Sequence, residues 1–145
     1  MHQVPTEAGF SLVELMITVV IATIIAAFVI PGYQHHMQRS YLPEASSGLL
    51  LSAMRLEQYY QDNRSYRDDA VCGVTLPVAK RFSFSCTPAV DGQTFLLTAT
   101  GLEQGMMHGF AFTLDQSGNA RTVGLPDNWG NAPMDCWITR QEGKC

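Results

Sequence analysis

The sequence has no Lys or Arg in its first 38 residues and no cysteine before Cys72. It also lacks the Gly-x-Ser-x-Gly, His-Glu-x-x-His and phosphate-loop motifs of common hydrolases and nucleotide-binding enzymes. These absences argue against an enzyme and against a cofactor. The net charge of −4 does not give the chain the overall basic balance of a typical nucleic-acid-binding protein.

Metal binding finds equally little support. No Cys-x-x-Cys is present, and His35 and His36 are neighbours on a predicted helix, where adjacent side chains point apart. The four cysteines all follow the apolar stretch described next. An even number of cysteines on one side of a membrane span predicts an oxidising compartment, the periplasm or the cell exterior.

A long apolar run extends from Phe10 to Ile30. Glu14 is its only charged residue, and the run is as long as the roughly 20 residues that a helix needs to cross the hydrocarbon core. A secretory signal peptide would have a shorter run with a cleavage site after it. Here the candidate processing point, Ala8-Gly9, precedes the run, so we expect the run to remain in the mature protein.

The stretch Gly9-Phe10-Ser11-Leu12-Val13-Glu14-Leu15-Met16 resembles the cleavage and methylation motif of type IV prepilins. The resemblance implies that a prepilin peptidase cuts after Gly9 and N-methylates Phe10. Its elements are Gly before an aromatic residue, Glu four residues further on, and the apolar run behind them. Later segments, including Glu57-Gln58-Tyr59-Tyr60 and the closing Cys136…Cys145, are most similar to the minor pilins.

Glu14 is the residue on which assembly is expected to depend. An acid at mid-membrane costs about 2.5–3.5 kcal/mol on insertion scales, so such residues tend to have a partner. Phe10 and Glu14 are four residues apart and share a helix face. The resemblance implies that Glu14 pairs with the methylated amine of a neighbouring subunit in a filament. The alternative is a carboxylate that snorkels to the membrane interface.

Residues 1–9 are then the leader, residues 10–30 the membrane and assembly helix, and residues 31–145 a periplasmic domain. The leader departs from the family pattern because it has no Lys or Arg and contains Glu7. Pro31 removes a helix hydrogen bond, and Gly32 adds backbone freedom, so a kink or loosening is predicted near Pro31.

A second helical pattern runs from Gln34 to about residue 63. Apolar residues recur at three- and four-residue steps, which indicates one face packed on a sheet. Pro43 fits the first turn of a helix, so the segment is expected to form two helices or one bent helix. The members of the stripe are Met37, Tyr41, Ala45, Leu49, Ala53, Leu56 and Tyr60.

Alternating patterns follow a connection at 64–81 and predict an antiparallel sheet over 82–124. The inward positions are Phe82, Phe84 and Cys86, then Phe95, Leu97 and Ala99, then Phe110, Phe112 and Leu114. Ala120–Val123 is expected to return as a short strand, and Trp137-Ile138-Thr139 is a candidate last strand. The predicted fold is therefore α+β: a long N-terminal helix on a small antiparallel sheet, the type IV pilin fold.

The C-terminal region, 125–145, is rich in turn residues and needs a tether. Four cysteines allow three pairings. We favour Cys72–Cys86 and Cys136–Cys145, because each closes a short loop worth on the order of 3 kcal/mol in the chain-entropy model. The second pair also matches the disulfide-bound region near the C-terminus of pilins.

The sequence is interpreted as a structural subunit of a type IV pilus. The resemblance implies other pilin subunits, the prepilin peptidase and methyltransferase, and the inner-membrane assembly platform as partners. It also implies roles in motility, adhesion or DNA uptake. One alternative is a type II secretion pseudopilin, although these often replace the disulfide loop with a calcium site. Another is a DNA-binding module at the filament tip, with Arg64, Arg67, Lys80 and Arg81 as its basic stripe.

Overall fold

The computed structural model describes residues 9–145, and the leader predicted at 1–9 lies outside it except for Gly9. It contains one α-helix, α1 (Leu12–Asn63). Six strands follow: β1 (Arg67–Asp68), β2 (Val71–Cys72), β3 (Phe82–Pro88), β4 (Phe95–Gly101), β5 (Ala111–Asp115) and β6 (Ala120–Gly124). The chain divides into two compact units, Met1–Met37 and Gln38–Cys145.

Glu14 is the charged residue in the first turns of α1, where most of the other side chains are apolar. The Ser11 carbonyl accepts the first helical hydrogen bond from the Leu15 N–H at 3.2 Å. The hydroxyls of Thr18 and Thr23 donate back to carbonyls three residues earlier, each at 2.8 Å, so these polar groups are satisfied within the helix. The side chains between Phe10 and Phe28 are exposed. By length and composition this part of α1 can cross a membrane, with a mean hydropathy of 2.7.

α1 continues through Pro31 and Pro43 without a break. Of the two alternatives predicted between Tyr33 and Asn63, two helical segments or one bent helix, the first is therefore wrong, because one helix covers the whole stretch. Pro43 removes one hydrogen bond to the Arg39 carbonyl, but Pro43 is exposed, so water can hydrate that carbonyl. Leu42 and Ala45, on either side of Pro43, are buried and hold the turn in helical form.

The second unit buries one face of α1. Leu42, Ala45, Leu49 and Leu56 are fully or almost fully buried, and three of them belong to the predicted stripe. Ser52 is the buried polar residue on this face, and its hydroxyl donates to the Gly48 carbonyl at 2.7 Å. The helix thus presents an apolar surface without an unsatisfied side chain.

The main sheet is an antiparallel meander in the order β3-β4-β5-β6, which confirms the predicted α+β fold. Of the predicted inward residues, Phe82, Phe95, Leu97, Ala99, Phe112 and Leu114 are buried, whereas Phe84 and Cys86 are half-buried. Burial alternates along β3 and β4 but not along β5, where Thr113 is buried as well. Phe110 precedes β5 and packs edge-on against Trp129, their ring centroids 4.9 Å apart. β1 and β2 form a separate two-stranded hairpin within the 64–81 connection.

The C-terminal region covers the β6 side of the sheet without forming the strand predicted at Trp137-Ile138-Thr139. Thr122 in β6 instead exchanges two backbone hydrogen bonds with Met134, both 2.9 Å. The chain then continues by side-chain bonds: the Trp137 indole donates to the Thr113 carbonyl at 3.0 Å, and the Ile138 N–H donates to the Thr122 hydroxyl at 3.1 Å. These bonds fix the segment, which touches β6 through the single bridge at Met134 and forms no strand of its own.

Two disulfides close the ends of the domain. Cys72–Cys86 joins the β1–β2 hairpin to β3, with a Cα–Cα separation of 6.0 Å. Cys136–Cys145 closes a loop at the end of the chain, with a separation of 6.1 Å. These are the pairs favoured from the sequence, and they flank opposite edges of the sheet because the first borders β3 and the second follows the segment on β6.

Candidate functional site

The candidate assembly residues lie at the start of the apolar helix. Gly9 and Phe10 precede α1, and the Phe10 ring is exposed. Glu14 is exposed in the first helical turn, where a negative charge interacts favourably with the helix dipole. None of the three ion pairs found in residues 9–145 includes Glu14. Pro31 lies within α1, and its side chain is outside the described set.

A second group of candidate residues surrounds Glu44, which lies in the second unit. The Glu44 carboxylate accepts hydrogen bonds from the Lys80 N–H at 2.8 Å and the Arg81 N–H at 3.2 Å. It also pairs with the Arg81 guanidinium at 2.9 Å. Arg81 stacks 3.5 Å above the Tyr41 ring centroid. Glu44 therefore fixes the end of the 64–81 connection on α1, while the Lys80 side chain stays exposed.

Burial and these contacts have opposite effects on the pKa of the Glu44 carboxyl. Burial raises the pKa of the Glu44 carboxyl, but the hydrogen bonds from Arg81 and Lys80 and the Arg81 charge together outweigh it. The net result is a pKa below the ordinary value of 4.5. The pKa of the Arg81 guanidinium is raised, chiefly by its hydrogen bond to Glu44.

Arg64 and Arg67 lie far from this group. They follow the end of α1 at Asn63, 19 residues beyond Glu44, which corresponds to roughly 28 Å along the helix axis. Arg67 uses its guanidinium within the fold: it donates to the carbonyls of Asp69 and Val90. The four residues of the predicted basic stripe therefore form two pairs instead of one cluster.

Arg55 lies between the two pairs and was not among the predicted residues. It is exposed on α1 and donates to the Thr75 carbonyl at 3.2 Å, which places it beside the 64–81 connection. The sequence pattern only showed that Arg55 is off the buried stripe. We call the set formed by Lys80, Arg81, Arg55 and Arg64, which are spread along the second unit from Glu44 to the end of α1, the basic edge.

Most of the basic edge is not neutralised. Within residues 9–145, the ion pairs are Arg81–Glu44, Arg121–Asp135 and Lys144–Glu142. Arg55, Arg64 and Lys80 take part in none of them and are exposed. Three cations along this row are thus available to an anionic partner.

Comparison with known families decides what kind of protein this is. Residues 31–108 match the family described as "Type IV minor pilin ComP, DNA uptake sequence receptor". This match covers 78 of the 145 residues, more than half of the chain. The chain belongs to the type IV minor pilin ComP family. Residues 5–30 of this pilin also match the prokaryotic N-terminal methylation motif.

Individual relatives agree with the family. The pilin is 28% identical to the fimbrial protein EcpC of Eikenella corrodens, over 87% of this chain and 92% of that one. It is 29% identical to a type IV major fimbrial protein FimA of Dichelobacter nodosus, over 90% of this chain and 86% of the relative. A solved type IV pilin from Shewanella oneidensis is 27% identical, with a TM-score of 0.47, and covers 65% of this chain and 99% of its own.

The family confirms the interpretation of the sequence as a pilus subunit of the minor-pilin group. The protein is a structural subunit of a type IV pilus. Its family is one of filament proteins and not of enzymes. The pseudopilin alternative is not retained, because the matched family is a type IV pilus family. The methylation motif implies processing by a peptidase, and the apolar helix is consistent with membrane anchoring before assembly into an extracellular pilus.

Proposed function

We propose that this minor pilin binds DNA through the basic edge. The observation that carries the proposal is the position of that edge: Arg55, Arg64, Lys80 and Arg81 all lie within residues 31–108, the part that matches a family described as a DNA uptake sequence receptor. Arg55, Arg64 and Lys80 supply the chemistry, because they are exposed and take part in none of the ion pairs of residues 9–145.

The dimensions of the basic edge suit a DNA backbone. The row extends for roughly 28 Å along α1, slightly less than one turn of B-DNA at about 34 Å. Cations that replace condensed counterions on phosphates provide the sequence-independent part of DNA affinity. The net charge of −4 does not oppose this, because binding responds to the local row of charges and not to the sum over the chain.

The test is the salt dependence of binding to a duplex of about 30 base pairs, measured by fluorescence anisotropy with the full chain in neutral detergent micelles. The triple variant Arg55→Gln, Arg64→Gln, Lys80→Gln removes three phosphate contacts. We expect the slope of log K against log salt to become shallower by about 2.7, or 0.9 for each contact.

The matched control removes the same charge from the opposite edge. The triple variant Arg39→Gln, Arg140→Gln, Lys144→Gln leaves the basic edge intact, so its salt slope should equal that of the unsubstituted protein. Equal slopes for the two triple variants, or no binding of the unsubstituted protein at low salt, would rule out the basic edge as the DNA-binding surface.

We also propose how the subunit reaches the filament. The peptidase cuts after Gly9 and methylates Phe10, the helix at 10–30 holds the subunit in the inner membrane, and the domain faces the periplasm. There the assembly platform delivers it to a filament in which Glu14 pairs with a neighbour's amine. The methylation motif and the acid in the first turn of α1 support this order. Mass spectrometry of the N-terminal peptide should find methylated Phe10; an N-terminus at Met1 or after Ile30 would contradict it.

A further inference from the structure

Two hairpins at the Asn63 end of the second unit are held together by one arginine. The Arg67 guanidinium donates to the Asp69 carbonyl in the β1–β2 hairpin and to the Val90 carbonyl in the β3–β4 turn, the latter at 2.6 Å. The Tyr66 N–H adds a bond to the Gly92 carbonyl at 2.8 Å. Both hairpin tips are therefore fixed side by side.

The two hairpin tips carry both apolar and acidic side chains. Val90 is 91% exposed, although it stands on a turn held by defined hydrogen bonds. Asp68, Asp69 and Asp91 are exposed around it. The positive charge of Arg67 is directed at backbone carbonyls, so the exposed charged side chains of the two tips are the carboxylates of Asp68, Asp69 and Asp91. We call the surface formed by Asp68, Asp69, Val90 and Asp91 the hairpin tip.

A groove of about 450 Å³ lies at the other end of the unit, on its β6 side. Its walls are α1, through Arg39 and Leu42, and the C-terminal segment, through Trp137, Ile138 and Thr139, with Phe112 between them. Hydrogen bonds of Trp137 to the Thr113 carbonyl and of Ile138 to the Thr122 hydroxyl fix the second wall. The groove is thus an apolar cleft that is already formed.

The rim of the groove is cationic. Arg39 is exposed on it, and Arg140 follows Thr139 directly in the chain. Neither takes part in the ion pairs of the described residues. The groove therefore has the opposite charge to the hairpin tip and an apolar interior where the tip has an exposed valine.

We propose that the hairpin tip of one copy docks in the groove of a second copy, with Val90 in the apolar cleft and Asp91 against Arg39. Arg39 and Asn63 are 24 residues apart on α1, about 36 Å, so one copy does not close this contact on itself. A contact between two different surfaces is head-to-tail, and such contacts generate closed rings or open helical filaments instead of two-fold dimers. A filament subunit requires a contact of this kind, and the contact does not depend on DNA binding.

The test is a charge exchange between copies of the full chain that carry two different affinity tags and are co-purified from membranes in neutral detergent. Unsubstituted copies should co-purify. Asp91→Arg copies should co-purify with one another about tenfold less, as should Arg39→Asp copies, because each brings like charges together. Asp91→Arg mixed with Arg39→Asp should recover the original yield, since both of its contacts join opposite charges.

Three further variants keep the result interpretable. Asp91→Asn retains the acceptor for the Gln93 N–H, which Asp91 bonds at 3.0 Å, and should still weaken the contact. Val90→Ser removes the apolar group and should lower the yield about five- to tenfold. Asp62→Arg changes the same charge at the same end of the unit, outside the hairpin tip, and should have no effect.

Unsubstituted copies that do not co-purify would overturn the proposal. Unchanged co-purification yields for the two single reversals would also overturn it. So would a low yield from the mixture of the two reversed copies, provided that each variant keeps both disulfides and its unfolding midpoint. Loss of DNA binding in the basic-edge variant has no bearing on these outcomes, because none of the residues exchanged here belongs to that edge.

Discussion

At Gly101 a neighbouring backbone group leaves no room for a side chain larger than a hydrogen atom. It ends β4, pairs with Phe82, and is buried. A Cβ at this position would overlap the carbonyl of Met107, which cannot move as the end of a flexible side chain can. The close approach brings the 101–109 loop back to the sheet, where Met107 is buried.

Gly101→Ala should therefore lower the free energy of unfolding by about 1–3 kcal/mol, the usual cost of overpacking. Urea unfolding of the oxidised protein measures it. Gly105→Ala is the control, because its Cβ would lie 3.4 Å from the Leu102 carbonyl with no positive φ to strain it. If both variants unfold at the same urea concentration, the backbone contact at Gly101 has no energetic role.

Glu44 gives the domain a stability that depends on pH. Its pKa is lower in the folded protein than the ordinary 4.5, so the folded state favours the ionised carboxylate. Its contribution is present above the ordinary pKa and is lost as the pH falls through the folded value. Glu44→Gln should thus be less stable than the unsubstituted protein at pH 7, and the two should converge once the pH has fallen below the folded-state pKa of Glu44.

Thermal unfolding midpoints from pH 7 to pH 3 measure this difference. Asp115 also has a lowered pKa, because hydrogen bonds from Asn119 and Ser117 outweigh its burial, but both proteins share that contribution. A difference between the two proteins that stays constant over the whole range would contradict the role given to the Glu44 carboxylate.

Sequence patterns predict the buried residues better than the polar contacts. The three- and four-residue steps of the helix identified Ala45 and Leu49, and the two-residue alternation of the strands identified most of their inward residues. Both patterns succeed because burial of one face is a local property of each element. The contacts of Arg67 and Arg55 with the carbonyls of Val90 and Thr75 join residues about twenty or more positions apart. No local period encodes such contacts.

At the scale of elements, the C-terminal segment depends on covalent closure more than the strands do. It pairs with β6 through two backbone bonds at Thr122 and otherwise relies on side chains. The Cys136–Cys145 bond closes nine residues of chain at its end. Loss of this bond should release the segment while the meander, which has its own register, remains folded.

The double variant Cys136→Ser, Cys145→Ser should lose about 2–3 kcal/mol of stability in the chain-entropy model and become sensitive to proteolysis after residue 130. Limited proteolysis with mass spectrometry locates the cut, and urea unfolding gives the energy. A variant as resistant as the unsubstituted protein would show that the hydrogen bonds of Trp137 and Ile138 suffice.

The C-terminal segment also contains a strand prediction that failed because of tertiary contacts. A short apolar triplet such as Trp137-Ile138-Thr139 has a strand-like composition, but the edge of β6 already bonds Met134, so no place in the sheet remains for it. Pro43 shows the opposite case, because a helix breaker stays helical where neighbouring turns are buried. Tertiary packing overrides local preference at both sites.

At the scale of the whole molecule, the pilin combines an apolar helix with a disulfide-closed domain. The family assignment shows that it is a filament subunit. Residues 9–145 include no ion pair at Glu14, which agrees with the proposal that its partner is on another subunit.

Glu14→Ala should leave the protein in the membrane and its domain folded but strongly reduce its amount in sheared pili, by about tenfold or more for a lost charge pair in an apolar environment. Quantitative immunoblots of membrane and pilus fractions measure the ratio. Thr23→Ala is the control, because the Thr23 hydroxyl bonds only within its own helix at 2.8 Å. Equal incorporation of the two variants would remove Glu14 from the assembly mechanism.

The two tryptophans lie in different surroundings. Trp129 is 1% exposed, packs edge-on against Phe110, and donates to the Gln38 side chain at 3.0 Å, whereas half-buried Trp137 lines the groove. The chain therefore carries an intrinsic optical reporter of the groove. With Trp129 replaced by Phe, the remaining ultraviolet emission comes from Trp137 alone, and a soluble quencher such as acrylamide measures directly whether the cleft is open to water or filled.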